Sequence, residues 1–161
     1  MTRRFRGGSV HKVDSKGRVS VPAPFRRVLE AGDPDFVSGG KVNFVLIYGR
    51  KGKNCLEGYS IEGIDRLDDE IAAMDRYSEE REALERAVNT QSVYVQVDEN
   101  GRMGLKELRE MIGIKEDAFF AGMGEKFQIW VPEDYDNDQK RIEDATGGDP
   151  FALLHKAKRD E

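Results

Sequence analysis

The sequence predicts an α+β fold, mainly β, in which two β-β-α-β-β lobes flank an amphipathic helical segment. Three observations carry this. The stretch Val13-Asp14-Ser15-Lys16-Gly17-Arg18-Val19-Ser20-Val21 returns as Val97-Asp98-Glu99-Asn100-Gly101-Arg102-Met103-Gly104-Leu105, displaced by 84 residues. Each copy is flanked by short runs of alternating apolar residues, the period-2 mark of half-buried strands. Between the copies, Ile64, Leu67, Ile71, Met74 and Leu84 fall at roughly helical spacing on a charged background.

The elements follow in order. In each copy Asp opens a tight turn, because its short carboxylate accepts a backbone N–H two residues on, and the glycine three positions later tolerates positive φ. Strands flank both corners: Val10 to Val13 with Val19 to Val21, and Val93 to Val97 with Met103 to Leu105. A short helix follows each hairpin. Pro24 suits a first turn, Phe25, Val28 and Leu29 share a face, and Gly32 ends it. Leu105, Leu108, Met111 and Ile112 repeat the pattern before Gly113. A further strand pair closes each lobe: Val42 to Tyr48 with Cys55 to Tyr59 across Gly49 to Gly52, and Asp117 to Ala121 with Phe127 to Val131 across Gly122 to Lys126. The Ile61 to Val88 segment is a long helix or a helix pair. The expected organisation is a first lobe at 5–60, a connector at 61–90, a second lobe at 91–135 and a helical or flexible acidic tail at 136–161.

The chain has 161 residues and a net charge of −5, but the charge is segregated. Residues 1–30 hold eight basic and two acidic residues, net +6, whereas residues 60–90 hold ten acids and four arginines, net −6. Local potential decides what each surface attracts. A single cysteine, Cys55, excludes an internal disulfide and fits a reducing cytoplasm. No apolar run is long enough to span a bilayer, and no signal-peptide core follows the basic N-terminus. Two histidines and one thiol offer no zinc-ligand spacing, and neither a phosphate-binding loop nor a nucleophile elbow occurs, so no metal, cofactor or catalytic residue is expected. An aspartate dyad of Asp14 with Asp98 is the enzymatic alternative, but turn formation accounts for both residues. Trp130 and the Phe119-Phe120 pair read as core.

With Phe5-Arg6-Gly7, the first motif through Pro22-Ala23-Pro24-Phe25-Arg26, the second Asp98 to Arg102 motif and Phe127-Gln128-Ile129-Trp130, the chain resembles the MraZ family of transcriptional regulators, whose members carry two AbrB-like lobes. The resemblance implies a swapped-hairpin β-barrel made from both lobes, a ring-like homo-oligomer associated with the nucleoid, and repression of the bacterial division and cell-wall gene cluster. The chain departs from the family pattern in lacking prolines after the second motif and in the Glu57 to Gly63 region.

The candidate DNA-binding residues are Arg18, Lys16, Arg6, Lys12, Arg3 and Arg4, a basic cluster nearly free of acids; Asp14, Gly17, Asp98, Gly101 and Arg102 build the two turns. Each motif arginine starts at the mouth of a hairpin. Two readings of it stand open, contact with phosphate or guanine and an ion pair with its own motif aspartate. Because Glu99 and Asn100 occupy the second tip, the first copy is expected to meet double-stranded DNA, and the second to serve as framework with Arg102 tied to Asp98. The stripe from Ile64 to Met74 is expected to hold copies together. An antitoxin-like module that clasps a basic partner through the acidic segments is the alternative function.

Overall fold

In the computed structural model, which describes residues 4–159, the strands of both halves of the chain enter one sheet. In chain order the first half runs β1 (Gly8–Lys12), β2 (Arg18–Ser20), α1 (Ala23–Ala31), β3 (Val42–Ile47) and β4 (Cys55–Ser60). Two helices follow, α2 (Ile61–Ala72) and α3 (Glu79–Thr90). The second half repeats the order as β5 (Ser92–Val97), β6 (Arg102–Gly104), α4 (Glu107–Ile112), β7 (Asp117–Gly122) and β8 (Phe127–Trp130), before α5 (Pro132–Thr146) and α6 (Ala152–Arg159). The mixed α+β composition with antiparallel pairing is as the sequence predicts. The tail helix begins at Pro132, ahead of the expected boundary at 136, because a proline needs no amide partner in a first turn.

The pairing of the hairpins is what sequence periodicity leaves unstated. After the corner, β1 and β2 share only the Val13–Val19 bridge. β1 then pairs with β7, and β5 pairs with β3, so each half lends its first strand to the other. The six-stranded order is β1-β7-β8-β4-β3-β5, which reads the same when the equivalent strands of the two halves are interchanged and the list is reversed. The short second arms, β2 and β6, pair with one another as a separate two-stranded ribbon. Had each hairpin zipped onto itself, the outer edges of β3 and β7 would have been left as unpaired rows of N–H and C=O groups; the exchange covers them.

One core serves both halves. Phe5, Phe25, Phe44, Phe120 and Phe127 are fully buried in it, with ring centroids 5.1 Å apart for Phe5 and Phe127 and 5.3 Å for Phe25 and Phe127. The single inward side chains of the ribbon strands, Val19 and Met103, close it from that side. Trp130 and Phe120 are buried as expected, while Phe119 is half-buried beneath Tyr135 of α5, with centroids 4.4 Å apart. Met111, expected on the inner face of α4, is exposed, and Leu108 and Ile112 do the packing.

The segment between the repeats is a helix pair. Ser60 caps α2 by accepting from the Gly63 amide at 2.9 Å, and Ser78 starts α3 by accepting from Arg81 at 3.2 Å. The Arg81 guanidinium donates back to the Ala72 and Met74 carbonyls and ties the end of α2 to α3. Ile64 and Ile71 are buried against Val45, Tyr59 and Val88, so this stripe is largely covered within the chain and is not the free apolar surface the sequence suggests. Only Leu84 of that set is exposed.

Candidate nucleic-acid interface

Both motif turns form, and they form alike. One oxygen of Asp14 accepts from the Lys16 and Arg18 amides at 2.9 Å each, and one oxygen of Asp98 accepts from Asn100 at 2.9 Å and Arg102 at 3.0 Å. The backbone closes around them, with the amides of Gly17 and Gly101 donating to the Asp14 and Asp98 carbonyls. Gly17 and Gly101 sit at φ of 80° and 78°, where a Cβ is strained. Each turn also grips the opposite repeat: Leu105 N–H donates to the Gly17 carbonyl and Val21 N–H to the Gly101 carbonyl, both at 2.9 Å.

These turns set the ribbon. Arg18 lies opposite Gly104, Val19 opposite Met103 and Ser20 opposite Arg102. Since side chains alternate along a strand, burial of Val19 and Met103 sends Arg18, Ser20, Arg102 and Gly104 to the other face. Arg18 and Arg102 are diagonal neighbours there, about 7–8 Å apart at their backbones. The two arginines differ in their own bonds. Arg18 donates through Nε to Asp14 at 2.8 Å, and its side chain remains 41% exposed. Arg102 makes no such bond to Asp98, and its Nε is buried without a partner. The Arg102–Asp98 side-chain ion pair expected from the sequence does not form: Asp98 meets Arg102 through its backbone amide, and the guanidinium makes no hydrogen bond to the carboxylate.

The electrostatics agree. The Asp14 carboxyl is held below its ordinary value chiefly by the Arg18 amide; burial opposes this, and the Arg18 guanidinium and the Lys16 amide add to the lowering. Asp98 is lowered first by the Arg102 amide, then by Asn100 and the charges of both Arg102 and Arg18. That Arg18 acts on Asp98 places the two repeats in one field. Both carboxyls move down, the opposite of what a proton-sharing pair requires of one member.

Two further arginines escape the sequence reading. Arg26 of α1 lies over Gly101, where a Cβ would collide with its guanidinium, and Arg109 of α4 lies over Gly17 and donates to the Asp14 carbonyl at 3.4 Å. Each helix thus braces the turn of the other repeat. A signal existed: an arginine follows the motif arginine by eight residues in one copy and seven in the other. The one-residue slip hides it from a strict repeat comparison. Exposed Lys16 and Lys106 extend the same basic surface.

The remaining candidates are spread apart. Phe5 bridges Gly124, so Arg4 and Arg6 sit at the β7–β8 corner, with Arg4 packed on Gly124. β1 carries the chain away at about 3.3 Å per residue, which puts Lys16 at the opposite end of the strand. Lys12 is highly exposed, but its ammonium lies 3.3 Å from Asp117 and is partly offset. Arg3 lies outside the described residues. Proximity in sequence to the motif therefore does not make one patch of Arg4, Arg6, Lys12 and Lys16. Among the described residues no cluster of histidine, cysteine and carboxylate side chains has the geometry of a metal site, and no helix is long and apolar enough to cross a membrane.

Elsewhere, Glu57 is buried on β4. Its carboxylate accepts from Arg50, Lys126 and Gln128, each at 2.9 Å, while Gln128 accepts from the Trp130 indole at 3.0 Å. This network joins the two halves across the β4–β8 pairing.

The chain is similar to known proteins over most of its length. Residues 5–87 match the family model described as "MraZ protein, putative antitoxin-like". A protein of Ruegeria pomeroyi named "Transcriptional regulator MraZ" is 51% identical over 140 residues, covering 86% of this chain and 84% of that protein. One of the same name from Ruegeria sp. strain TM1040 is 51% identical over 84% of this chain and 82% of its own. Another, from Cereibacter sphaeroides, is 40% identical over 97% of this chain and 98% of its own.

Proposed function

The chain belongs to the MraZ family, and from that premise we propose that it is a sequence-specific, DNA-binding transcriptional regulator that represses the bacterial division and cell-wall gene cluster as an oligomer on repeated sites. The observation that carries the proposal is the ribbon, on which Arg18 and Arg102 share one outward face above two rigid, mutually bonded turns. A two-stranded ribbon fits the major groove, and a guanidinium can bond two acceptors of guanine or a phosphate. Asp14 holds Arg18 through Nε alone, so both terminal nitrogens are presented outward in a fixed plane. Lys16, Arg26, Arg109 and Lys106 supply the surrounding attraction for phosphates. Arg4 and Arg6, at the far end of β1, act on flanking backbone or not at all.

In this reading the exchange of β1 and β5 is that of a swapped-hairpin AbrB-like barrel, its lobes at 5–60 and 91–135 joined through 61–90, with 136–161 as an appendage. The names of the relatives support transcriptional regulation, and a regulator of this kind acts in the cytoplasm, associated with the nucleoid. A single chain offers few phosphate contacts, each contributing a salt slope of roughly −0.9, so a lone site is weak at physiological salt. Several copies on repeated sites gain through effective concentration, which is why a homo-oligomer, ring-like in the family pattern, belongs to the proposal.

Fluorescence anisotropy of the full chain against its own upstream DNA, with a scrambled duplex as control, tests it. Preferential binding to the upstream DNA at physiological salt is expected; equal, weak binding to both duplexes refutes sequence-specific regulation. A second reading, an antitoxin-like interaction module, draws on the acidic α2–α3 surface, and predicts capture of a basic protein partner without a DNA shift.

A further inference from the structure

With the stripe on α2 covered internally, an unpartnered apolar surface lies on α6 and the residue that precedes it. Phe151, Leu153 and Leu154 are all exposed, at 74%, 41% and 61%, and every residue from 151 to 156 is exposed. The helix sequence ALLHKAKR is also cationic, with two lysines, an arginine and no acid. An isolated helix of eight residues is too short to be stable in water by propensity alone, so its apolar side needs a partner.

At the far edge of the sheet, between α2, α3 and β5, runs a cleft of about 240 Å³. Val45, Ile64 and Val88 at its base are already buried within the chain, and the apolar groups it leaves accessible are Ile61, Val93 and the exposed ring of Tyr94. Its rim carries Asp65 and Asp68, on a helix whose five acids face a single arginine. Burial of Asp68 and the neighbouring charges of Asp65 and Asp69 push its carboxyl up, so the rim is under like-charge stress that a cation relieves. The exposed Val93 and Tyr94 and the acidic rim complement the apolar side and basic end of α6. We propose that α6 is an exchange element, seating Phe151, Leu153 and Leu154 in the α2–β5 cleft of a second copy of this chain with Lys156 toward Asp65 and Asp68. This deepens the proposed oligomeric action and rests on it, since it says which surfaces join the copies.

The test mixes full-length chains. A copy carrying Leu154→Cys is combined under mild oxidation with a copy carrying Asn89→Cys, a position lining the cleft. Native Cys55 does not compete, because it is buried and its thiol is pushed up to about 12 by burial, with the Glu57 charge adding to it. Cross-linked pairs of one copy of each are expected, and their absence overturns the proposal. In parallel, sedimentation of Leu153→Glu/Leu154→Glu should show association at least about tenfold weaker, the scale of losing one buried leucine contact. Asp65→Lys/Asp68→Lys should weaken it similarly, and adding Lys156→Glu to that pair should restore much of the loss. All these positions are exposed, so the fold should survive, and unchanged circular dichroism checks this. If wild type is an oligomer and Leu153→Glu/Leu154→Glu leaves its mass unchanged, the exchange is wrong while oligomeric action stands. If wild type is a monomer at tens of micromolar, roughly where weak assemblies form, both fall. A chain carrying both cysteines that cross-links only within itself overturns the exchange in favour of docking within one copy.

Discussion

Arg102→Ala should cost the protein its DNA affinity about as much as Arg18→Ala, and neither should unfold it. The expectation follows from the ribbon, where the two arginines share a face and the two turns are bonded alike. Removing Arg18 breaks one solvent-screened ion pair with Asp14 at 2.8 Å, a weak contribution to stability. Removing Arg102 breaks no side-chain hydrogen bond and eliminates a buried, unpartnered Nε, a donor that costs about 1–3 kcal/mol to leave unsatisfied. Stability should therefore fall slightly for Arg18→Ala and hold or rise for Arg102→Ala. At about 2–4 °C per kcal/mol for a chain of this size, both melting temperatures stay within a few degrees of wild type. A lost base contact costs about 1–3 kcal/mol, a fall of roughly 5- to 150-fold in affinity per site. The assay is anisotropy with upstream DNA at fixed salt, alongside oligomer mass and thermal melting. Full affinity in Arg102→Ala with Arg18→Ala inactive would show that only the first repeat reads DNA, as the charge of the tips alone suggests. Unfolding of Arg102→Ala would show that its guanidinium is structural after all.

Binding should weaken steeply with salt, with a log-log slope exceeding that of one ribbon's contacts at about 0.9 per phosphate; a flat dependence between low and physiological salt would contradict the electrostatic footprint. Glu57→Gln should destabilise by about 1–3 kcal/mol, because the partly exposed Arg50 and Lys126 lose their counter-charge; chemical denaturation measures it. Burial raises the Glu57 carboxyl, but hydrogen bonds from Lys126 and Gln128 and the charges of Lys126 and Arg50 outweigh it and hold the group below its ordinary 4.5. A depressed folded value means stability that is present above pH 4.5 and lost as pH falls through the folded value, and this acid dependence should be absent in Glu57→Gln. Gly101→Ala should destabilise more than Gly17→Ala in thermal melts. Both force alanine into positive φ at about 1–2 kcal/mol, but only at Gly101 does the new methyl meet the Arg26 guanidinium, whereas at Gly17 the nearest atom is an ordinary 3.8 Å away.

The amino-acid sequence by itself determined the local structure of this protein. Asp-x-x-Gly turns, a proline-started α1 stopped at Gly32, serine-capped α2 and α3 and alternating strands are set by interactions within a few residues, and those are legible in a linear pattern. Even the repeat that makes the halves equivalent is plain at the turns. Tertiary structure alone decided who pairs with whom. Alternation marks β1 as a strand but not its buried side, since Val10 is exposed while Ser9 and His11 turn inward, and a period of two is silent on whether its neighbour is β2 or β7. That choice brings Arg18 and Arg102 onto one ribbon, lays Arg26 and Arg109 across the opposite turns and separates Arg4 and Arg6 from Lys16. It also shelters Glu57 among groups drawn from Arg50 to Gln128. Charge counted along the chain therefore does not foresee that the two motif arginines lie on one ribbon. Electrostatic neighbours are fixed by distances through space, and here the strand exchange sets those distances.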